Sequence, residues 1–379
     1  MPISERRRRA AACAIDRTSA ILEIDLDAIV ENWQRLRARL APGAECAAVV
    51  QADAYGLGAA RVTPALAAAG CTLFFVATLD EGLALRRLLP QSRIAVLNGL
   101  MPGLAAQFAR ARLMPVLNDL GQIEAWSRFA RRRGGAPAML HIDTGMARLG
   151  LPPDELDRLA AAPERLAGFP LAAILSHLAC AGAPTDPMNA RQRDAFRAAL
   201  ARLPRAPASL AASSGIFLGP DYHFDLARPG AALYGVNPQP DSPQPMRQVV
   251  RLKGRILQTR DVDRGETVGY GATHRMDRPG RVATIAVGYA DGWLRSGSQR
   301  GSVGVAGTRA PVIGRISMDL LTLDVTGIAR ELTPPGGFVD LLDDAYGVDA
   351  AAAAAHTIGY EILTALGQRA LRLYRGGAG

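Results

Sequence analysis

The feature that most constrains this chain is a rhythm. Between about residues 45 and 236, short apolar runs rich in β-formers alternate with longer amphipathic stretches. Strand candidates begin near Cys46, Leu73, Ile94, Met114, Met139, Leu171, Ala208 and Ala231. Helix-period stretches fill 61–69, 79–88, 120–133, 154–162 and 188–203 between them. Eight such β/α repeats suit a closed TIM barrel better than an open doubly wound sheet. No Gly-x-Gly-x-x-Gly follows the first strand, which argues against a dinucleotide-binding half.

After Gly235 the pattern changes. Asn237 to Pro245 is a proline-rich, helix-poor linker. Beyond it, short alternating runs at 249–258, 282–287, 302–305, 311–313 and 320–325 are punctuated by glycine turns and read as strands of a second domain. Helical stretches at 350–355 and 360–365 precede a short strand-like end. The expected fold class is α/β, an N-terminal (β/α)8 TIM barrel followed by a C-terminal mostly-β domain. The expected division is a basic tail at 1–19, a barrel domain at 20–240 and a β-domain at 241–379. The alternating segment Ala20 to Asp25 reads as a strand that can join the second domain.

Composition narrows the function classes. The chain carries a net charge of +9, yet Lys253 is its only lysine and every other basic side chain is arginine. Basic and acidic residues interleave, and no aromatic–basic stripe is present, so no nucleic-acid partner is expected. No apolar run approaches the length of a membrane span, so no membrane partner is expected. The apolar stretch after Arg6–Arg9 is too short for a secretory core. Cys13, Cys46, Cys71 and Cys180 lack metal-ligand or redox-motif spacing and read as reduced thiols of a cytoplasmic protein. His141, His177, His223, His274 and His356 are scattered, so no metal is expected.

The motifs point further. The segment Ala47 to Gly58 contains Gln51-Ala52-Asp53-Ala54-Tyr55-Gly56. His141 to Gly150, Ser176-His177, Ser213-Ser214-Gly215 and Arg228-Pro229-Gly230-Ala231 follow in order. The second domain carries Gly269-Tyr270-Gly271, Gly288-Tyr289-Ala290-Asp291-Gly292, Ser317-Met318-Asp319 and Gly359-Tyr360-Glu361. Any one of these has a bland explanation. His177 alone would be a core histidine, Tyr270 a turn aromatic and Arg148 a surface charge. As an ordered set from about Ala20 to Tyr374, they resemble the alanine racemase family, whose members use pyridoxal 5′-phosphate (PLP).

That resemblance implies a set of roles. Tyr55, Ser214, Gly230, Ala231 and Tyr360 match positions that hold the cofactor phosphate. Arg228 matches the arginine facing the pyridine nitrogen, where a permanent cation keeps the ring nitrogen unprotonated. His177 matches the histidine that contacts this arginine and assists a tyrosine base. Tyr270 matches that base, supplied by the second copy of a homodimer with a shared site. Arg148 matches the residue that steadies the cofactor's phenolic oxygen on the substrate side. Met318 and Asp319 match substrate-side residues, and alanine is the implied substrate.

Four positions depart from the family pattern. Gln51 stands where the family has its Schiff-base lysine, which both anchors the cofactor and serves as a base. A glutamine amide can do neither. Ser213 replaces an asparagine, His141 a lysine and Leu57 a histidine. The leading expectation is an alanine racemase, converting L-alanine to D-alanine for cell-wall precursors and strongly impaired at residue 51. The alternatives are a non-catalytic PLP- or amino-acid-binding homologue and a PLP decarboxylase of the same barrel type. Arg228 argues against the decarboxylase, because such enzymes place an acidic group at the ring nitrogen.

Overall fold

The computed structural model describes residues 14–132 and 135–377. Residues 1–13 of the basic tail, with Cys13, lie outside the described residues. The chain divides into two compact units: Ile29–Arg247, and Ala28 and the residues before it together with Gln248–Gly377.

The first unit is a (β/α)8 barrel. Seven parallel strands follow in chain order: Ala48–Val49, Leu73–Val76, Arg93–Val96, Met114–Leu117, Ala138–His141, Leu171–Leu175 and Ala208–Ser209. An eighth, Leu226–Ala227, pairs in parallel with Glu45–Cys46. Asp225 N–H donates to Ala208 O at 3.0 Å, and Arg228 N–H donates to Ala211 O at 2.9 Å, so this strand closes the ring. The strand expected near Ala231 is therefore misplaced. Ala231–Tyr234 is a 3-10 turn just past the true eighth strand. Its continuous apolar text comes from burial of the whole turn, which periodicity cannot tell from a buried strand.

Helices alternate with these strands, among them Ala59–Ala68, Leu79–Leu88, Leu120–Arg131, Pro153–Ala160 and Pro187–Leu200. Their starts are set by local chemistry. Thr78 and Asp119 accept N–H bonds from the first turns of the second and third of these helices. Trp33, Trp126, Phe108 and Phe196 fill the space under the helices and are fully buried.

The unit boundary falls at Arg247, later than the expected division after Pro240. The helix Leu26–Ala38 explains the difference. Asn32 Nδ2 donates to Arg247 O at 2.9 Å, and Arg247 N–H donates to Asn32 Oδ1 at 2.7 Å. Arg35 also donates to Pro245 O at 2.9 Å. These bonds dock the proline-rich stretch onto the barrel unit.

The second unit is β-rich. Its eight-stranded sheet runs Gly280–Ile285, Leu321–Asp324, Thr308–Ile313, Ser302–Val305, Phe338–Leu342, Val250–Val262, Ala20–Asp25 and Leu371–Arg375. Val250–Val262 also pairs with Gly280–Ile285 past a register shift at Ile256/Gln258, which curls six strands into a closed barrel. The strand Ala20–Asp25 lies between Val250–Val262, antiparallel, and Leu371–Arg375, parallel. The helices Val348–Ala354 and Gly359–Ala365 complete this unit. Among the described residues, no helix is long and apolar enough to cross a membrane.

Candidate active site

Gln51 lies where the first barrel strand leaves the sheet at its C-terminal rim. It opens a turn, Gln51–Tyr55, that winds left-handed. Ala52, Asp53 and Ala54 have φ/ψ of 52/48°, 55/49° and 55/53°, and Tyr55 has a φ of 56°. Left-handed backbone costs an L-residue about 1–2 kcal/mol, so four in succession cost on the order of 4–8 kcal/mol. Neighbours hold the turn in place. Ala52 N–H donates to Glu81 Oε1 at 2.7 Å, and Ala59 N–H donates to Asp53 Oδ1 at 2.7 Å. Strain of this kind concentrates at functional sites, where surrounding contacts over-determine the backbone.

The turn delivers Tyr55 to the end of the eighth strand. The Tyr55 ring packs on Tyr234 with centroids 4.6 Å apart, and Tyr234 Oη donates to Val49 O at 3.0 Å. Gly230 faces Tyr55 with no room for a side chain. A Cβ there would clash with Tyr55 Oη, 3.0 Å from Cζ, and would lie 3.3 Å from Val49 Cβ. Ser213 Oγ accepts Gly230 N–H at 3.0 Å and Ala232 N–H at 3.2 Å. Ser213 thus shapes the Gly230–Ala232 backbone. The Ala231 N–H between these two has no hydrogen-bond partner among the described residues. Ser214 begins the adjacent 3-10 turn Ser214–Leu218 and is half-buried.

Arg228 is the electrostatic centre of the rim. It is 4% exposed. Its guanidinium donates to Ser209 Oγ, to Ser176 O at 2.6 Å and to His177 Nδ1 at 3.4 Å. Every one of these acceptors is neutral. Burial lowers its pKa to about 10, so it remains a cation at neutral pH. Because His177 Nδ1 accepts from Arg228, its Nε2 carries the proton. Burial, then Arg228, Arg148 and His141, pushes the His177 imidazole down to about 3. His141 Nδ1 pairs with Asn118 Oδ1 at 2.8 Å. Asn118 Nδ2 donates to Leu97 O and Val116 O, so the imidazole donates here and its Nε2 is bare. Burial and then Arg228 push His141 down to about 4, while Asp143 opposes the shift. Asp143 itself accepts N–H bonds from Gly145, Met146 and Ala147. Arg148 is exposed. Leu57 is fully buried. The rim therefore combines the Arg228 cation, neutral imidazoles and the unbonded Ala231 N–H, a donor set suited to an anionic ligand.

The remaining expected residues belong to the second unit. Tyr270 sits between Gly269 and Gly271, at φ of 76° and 69°, and is 72% exposed. A Cβ on Gly269 would lie 3.3 Å from Arg315 N, and one on Gly271 would lie 3.0 Å from an Arg315 guanidinium nitrogen. The Tyr270 turn thus packs beside the loop leading to Met318. Met318 is 54% exposed, and its carbonyl accepts Ala290 N–H at 2.9 Å. Asp319 pairs with Arg369 at 2.7 Å, which also reaches Asp291 at 3.3 Å. Tyr360 lies in the helix Gly359–Ala365 and is 40% exposed; desolvation of its hydroxyl end, followed by Asp349, raises its phenol.

Sequence reasoning missed Glu81, Asn118 and Ser209 as supports of the rim; Ser176 was read only as part of the motif around His177. Only Glu81 left a readable signal, since Thr78 and Glu81 have capping-box spacing.

Residues 24–238 match the family described as "Alanine racemase, N-terminal domain", and residues 249–374 match "Alanine racemase, C-terminal domain". The chain belongs to the alanine racemase family. It is 53% identical over 363 residues to the alanine racemase of Rhodospirillum rubrum, covering 95% of this chain and 97% of that one. It is 49% identical over 360 residues to a catabolic alanine racemase of Mesorhizobium japonicum, covering 94% of each. Its fold matches the crystal structure of the Bartonella henselae alanine racemase with covalently bound PLP. The TM-score is 0.91 at 41% identity, covering 94% of this chain and 100% of that one.

Proposed function

We propose that this chain binds PLP at the barrel rim without a covalent bond and interconverts the enantiomers of alanine only slowly, because Gln51 stands at the family's lysine position. The observation that carries the reading is Arg228, a buried cation with only neutral acceptors at the end of the eighth strand, beside the Gly230–Ala232 backbone. The residues fit the group. Gly230 is a cradle that a Cβ would fill, and the Ala231 N–H is a ready donor.

Ser214, Tyr55, Gly230, Ala231 and Tyr360 would hold the phosphate, and Arg228 would meet the ring nitrogen. When bound, PLP withdraws electron density from the amino acid and makes its α-proton removable. The rest falls to side chains. Tyr270, exposed on its glycine-framed turn, gives or takes a proton on one face and comes from the partner of a homodimer. His177, held neutral beside Arg228, tunes that exchange. Arg148, Met318 and Asp319 orient the substrate. The Gln51 amide has no basic lone pair to take a proton on the other face. Losing a positioned acid/base costs about 10²–10⁴-fold, and loss of the anchor adds to this. The setting of this activity is cytoplasmic supply of D-alanine.

The test measures D-alanine formation from L-alanine with added PLP, for the chain and for Gln51→Lys. The expected gain is at least 10²-fold. A fast unmodified chain refutes the reading of residue 51. A Gln51→Lys chain that holds PLP covalently without racemising supports the second reading, a non-catalytic PLP-binding homologue, which the Gln51 amide itself favours.

A further inference from the structure

We propose that Glu81 is the positioning residue for side chain 51, clamping the left-handed turn Gln51–Tyr55 to the rim of the neighbouring strand. The importance of this clamp for cofactor chemistry rests on the function proposed above, but its geometry does not.

Glu81 occupies the third position of the helix Leu79–Leu88. An ordinary capping box ends with two reciprocal bonds. Both are present: Glu81 N–H donates to Thr78 Oγ1 at 3.3 Å, and Thr78 N–H donates to Glu81 Oε2 at 3.1 Å. The carboxylate then does more than the helix requires. Oε2 also accepts Ala77 N–H at 2.8 Å, and Oε1 accepts Ala52 N–H at 2.7 Å. The shortest of its three accepted bonds is the one that reaches out to the turn after residue 51.

These partners are specific. Ala77 directly follows the strand Leu73–Val76. That strand pairs with Ala48–Val49 in the register Ala48↔Phe74 and Val49↔Phe75. One carboxylate therefore ties two adjacent strand ends together at the rim. Ala52 is the first left-handed residue, where the chain departs from the right-handed path. On the other side of residue 51, Val50 N–H is fixed to Phe75 O at 2.8 Å. Residue 51 is thus held between two bonded amides, one anchored by backbone and the other by Glu81. An ionised carboxylate is acceptor-only and can take all three donors, whereas an amide offers one acceptor oxygen and two donors that oppose these N–H groups.

A purely structural cap makes a different prediction, and Thr78→Ala separates the two. It breaks the capping box but leaves the bond to Ala52 in place. The experiment uses the full chain carrying Gln51→Lys, alone and with Glu81→Gln, Thr78→Ala, or Glu81→Gln plus Ala52→Gly. Two quantities are read: hydrogen–deuterium exchange across 51–58 without cofactor, and the rate at which borohydride fixes added PLP at residue 51. Glu81→Gln should speed exchange at least tenfold and slow fixation several-fold. Thr78→Ala should lower the melting temperature while leaving both near the parent. Ala52→Gly removes the steric objection to left-handed backbone and should restore part of the lost fixation. If Glu81→Gln does not fold, Glu81→Asp, which keeps the charge but shortens the reach, is read the same way. Equal effects of Glu81→Gln and Thr78→Ala, or parent-level exchange in Glu81→Gln, overturn the proposal. If no variant or parent is fixed by borohydride, the cofactor reading fails, and the exchange arm still decides the clamp.

Discussion

His141 and His177 should make the barrel unit acid-sensitive by an amount that can be worked out. Burial and Arg228 push His177 down to about 3 and His141 to about 4. In the unfolded chain both titrate near about 6.5. Between that value and the folded values, the unfolded chain binds more protons, so stability falls as pH falls. Going from pH 7.5 to 5.0, each imidazole costs about 2 kcal/mol, at about 1.4 kcal/mol per pH unit below 6.5. The pair sets a ceiling of about 4 kcal/mol, and partial solvent contact of both rings brings the expected loss to about 2–4 kcal/mol. The perturbation is His141→Asn with His177→Gln, which removes both titrating groups; the first keeps an amide partner for Asn118. The assay is urea unfolding followed by fluorescence at both pH values, since Trp33 and Trp126 are buried in this unit. The double variant should lose about 2–4 kcal/mol less than the parent on acidification. If parent and double variant lose the same amount, the imidazoles are not held neutral and the electrostatic picture of the rim is wrong.

Two further outcomes follow from packing and burial. Gly230→Ala places a methyl against Tyr55, whose ring is braced by Tyr234. Overpacking of this kind costs about 1–3 kcal/mol, and PLP titration should show several-fold weaker binding; unchanged binding would remove Gly230 from the cradle. Burial raises the Cys71 thiol to about 12 and Cys46 higher still, so a thiol reagent at pH 8 should label neither until denaturant is added. Rapid native labelling of Cys71 would contradict its burial.

The sequence spoke clearly where burial repeats with a period. Strands such as Leu73–Val76 and Met114–Leu117 are wholly buried, and their apolar text marks them directly. The helix Leu79–Leu88 was legible from its periodicity. Two-residue strands were harder, because Leu226–Ala227 is too short to show alternation and the buried turn after it has the same apolar character. The helix Leu26–Ala38 has a helical period in Leu26, Ile29, Trp33 and Leu36, but its hold on Arg247 was unreadable, since the pairing of Asn32 with Arg247 depends on a contact across most of the unit. At the site, Arg228, His177 and Tyr55 stood out through their motifs. The handedness of Gln51–Tyr55 did not, because alanine, aspartate and tyrosine carry no glycine-like signal for positive φ. That backbone is bonded to Glu81, which is distant in sequence, as well as locally through Asp53 and Ala59.

The strand Ala20–Asp25 has a consequence for how the molecule is made. Its two neighbours are Val250–Val262 and Leu371–Arg375, near the opposite end of the chain. A ribosome adding about 5–20 residues per second would release the last neighbour roughly 20–70 s after the first strand emerges. Val250–Val262 emerges well before that, after the strands of Ile29–Arg247, so the edge meant for Leu371–Arg375 is the one that stays open to the end of the interval. Vectorial synthesis therefore favours assembly of the barrel first, with an early-made strand waiting to be enclosed by the last-made one. Substitutions in Leu371–Arg375 should then reveal themselves as aggregation of newly made chains before they alter the barrel rim.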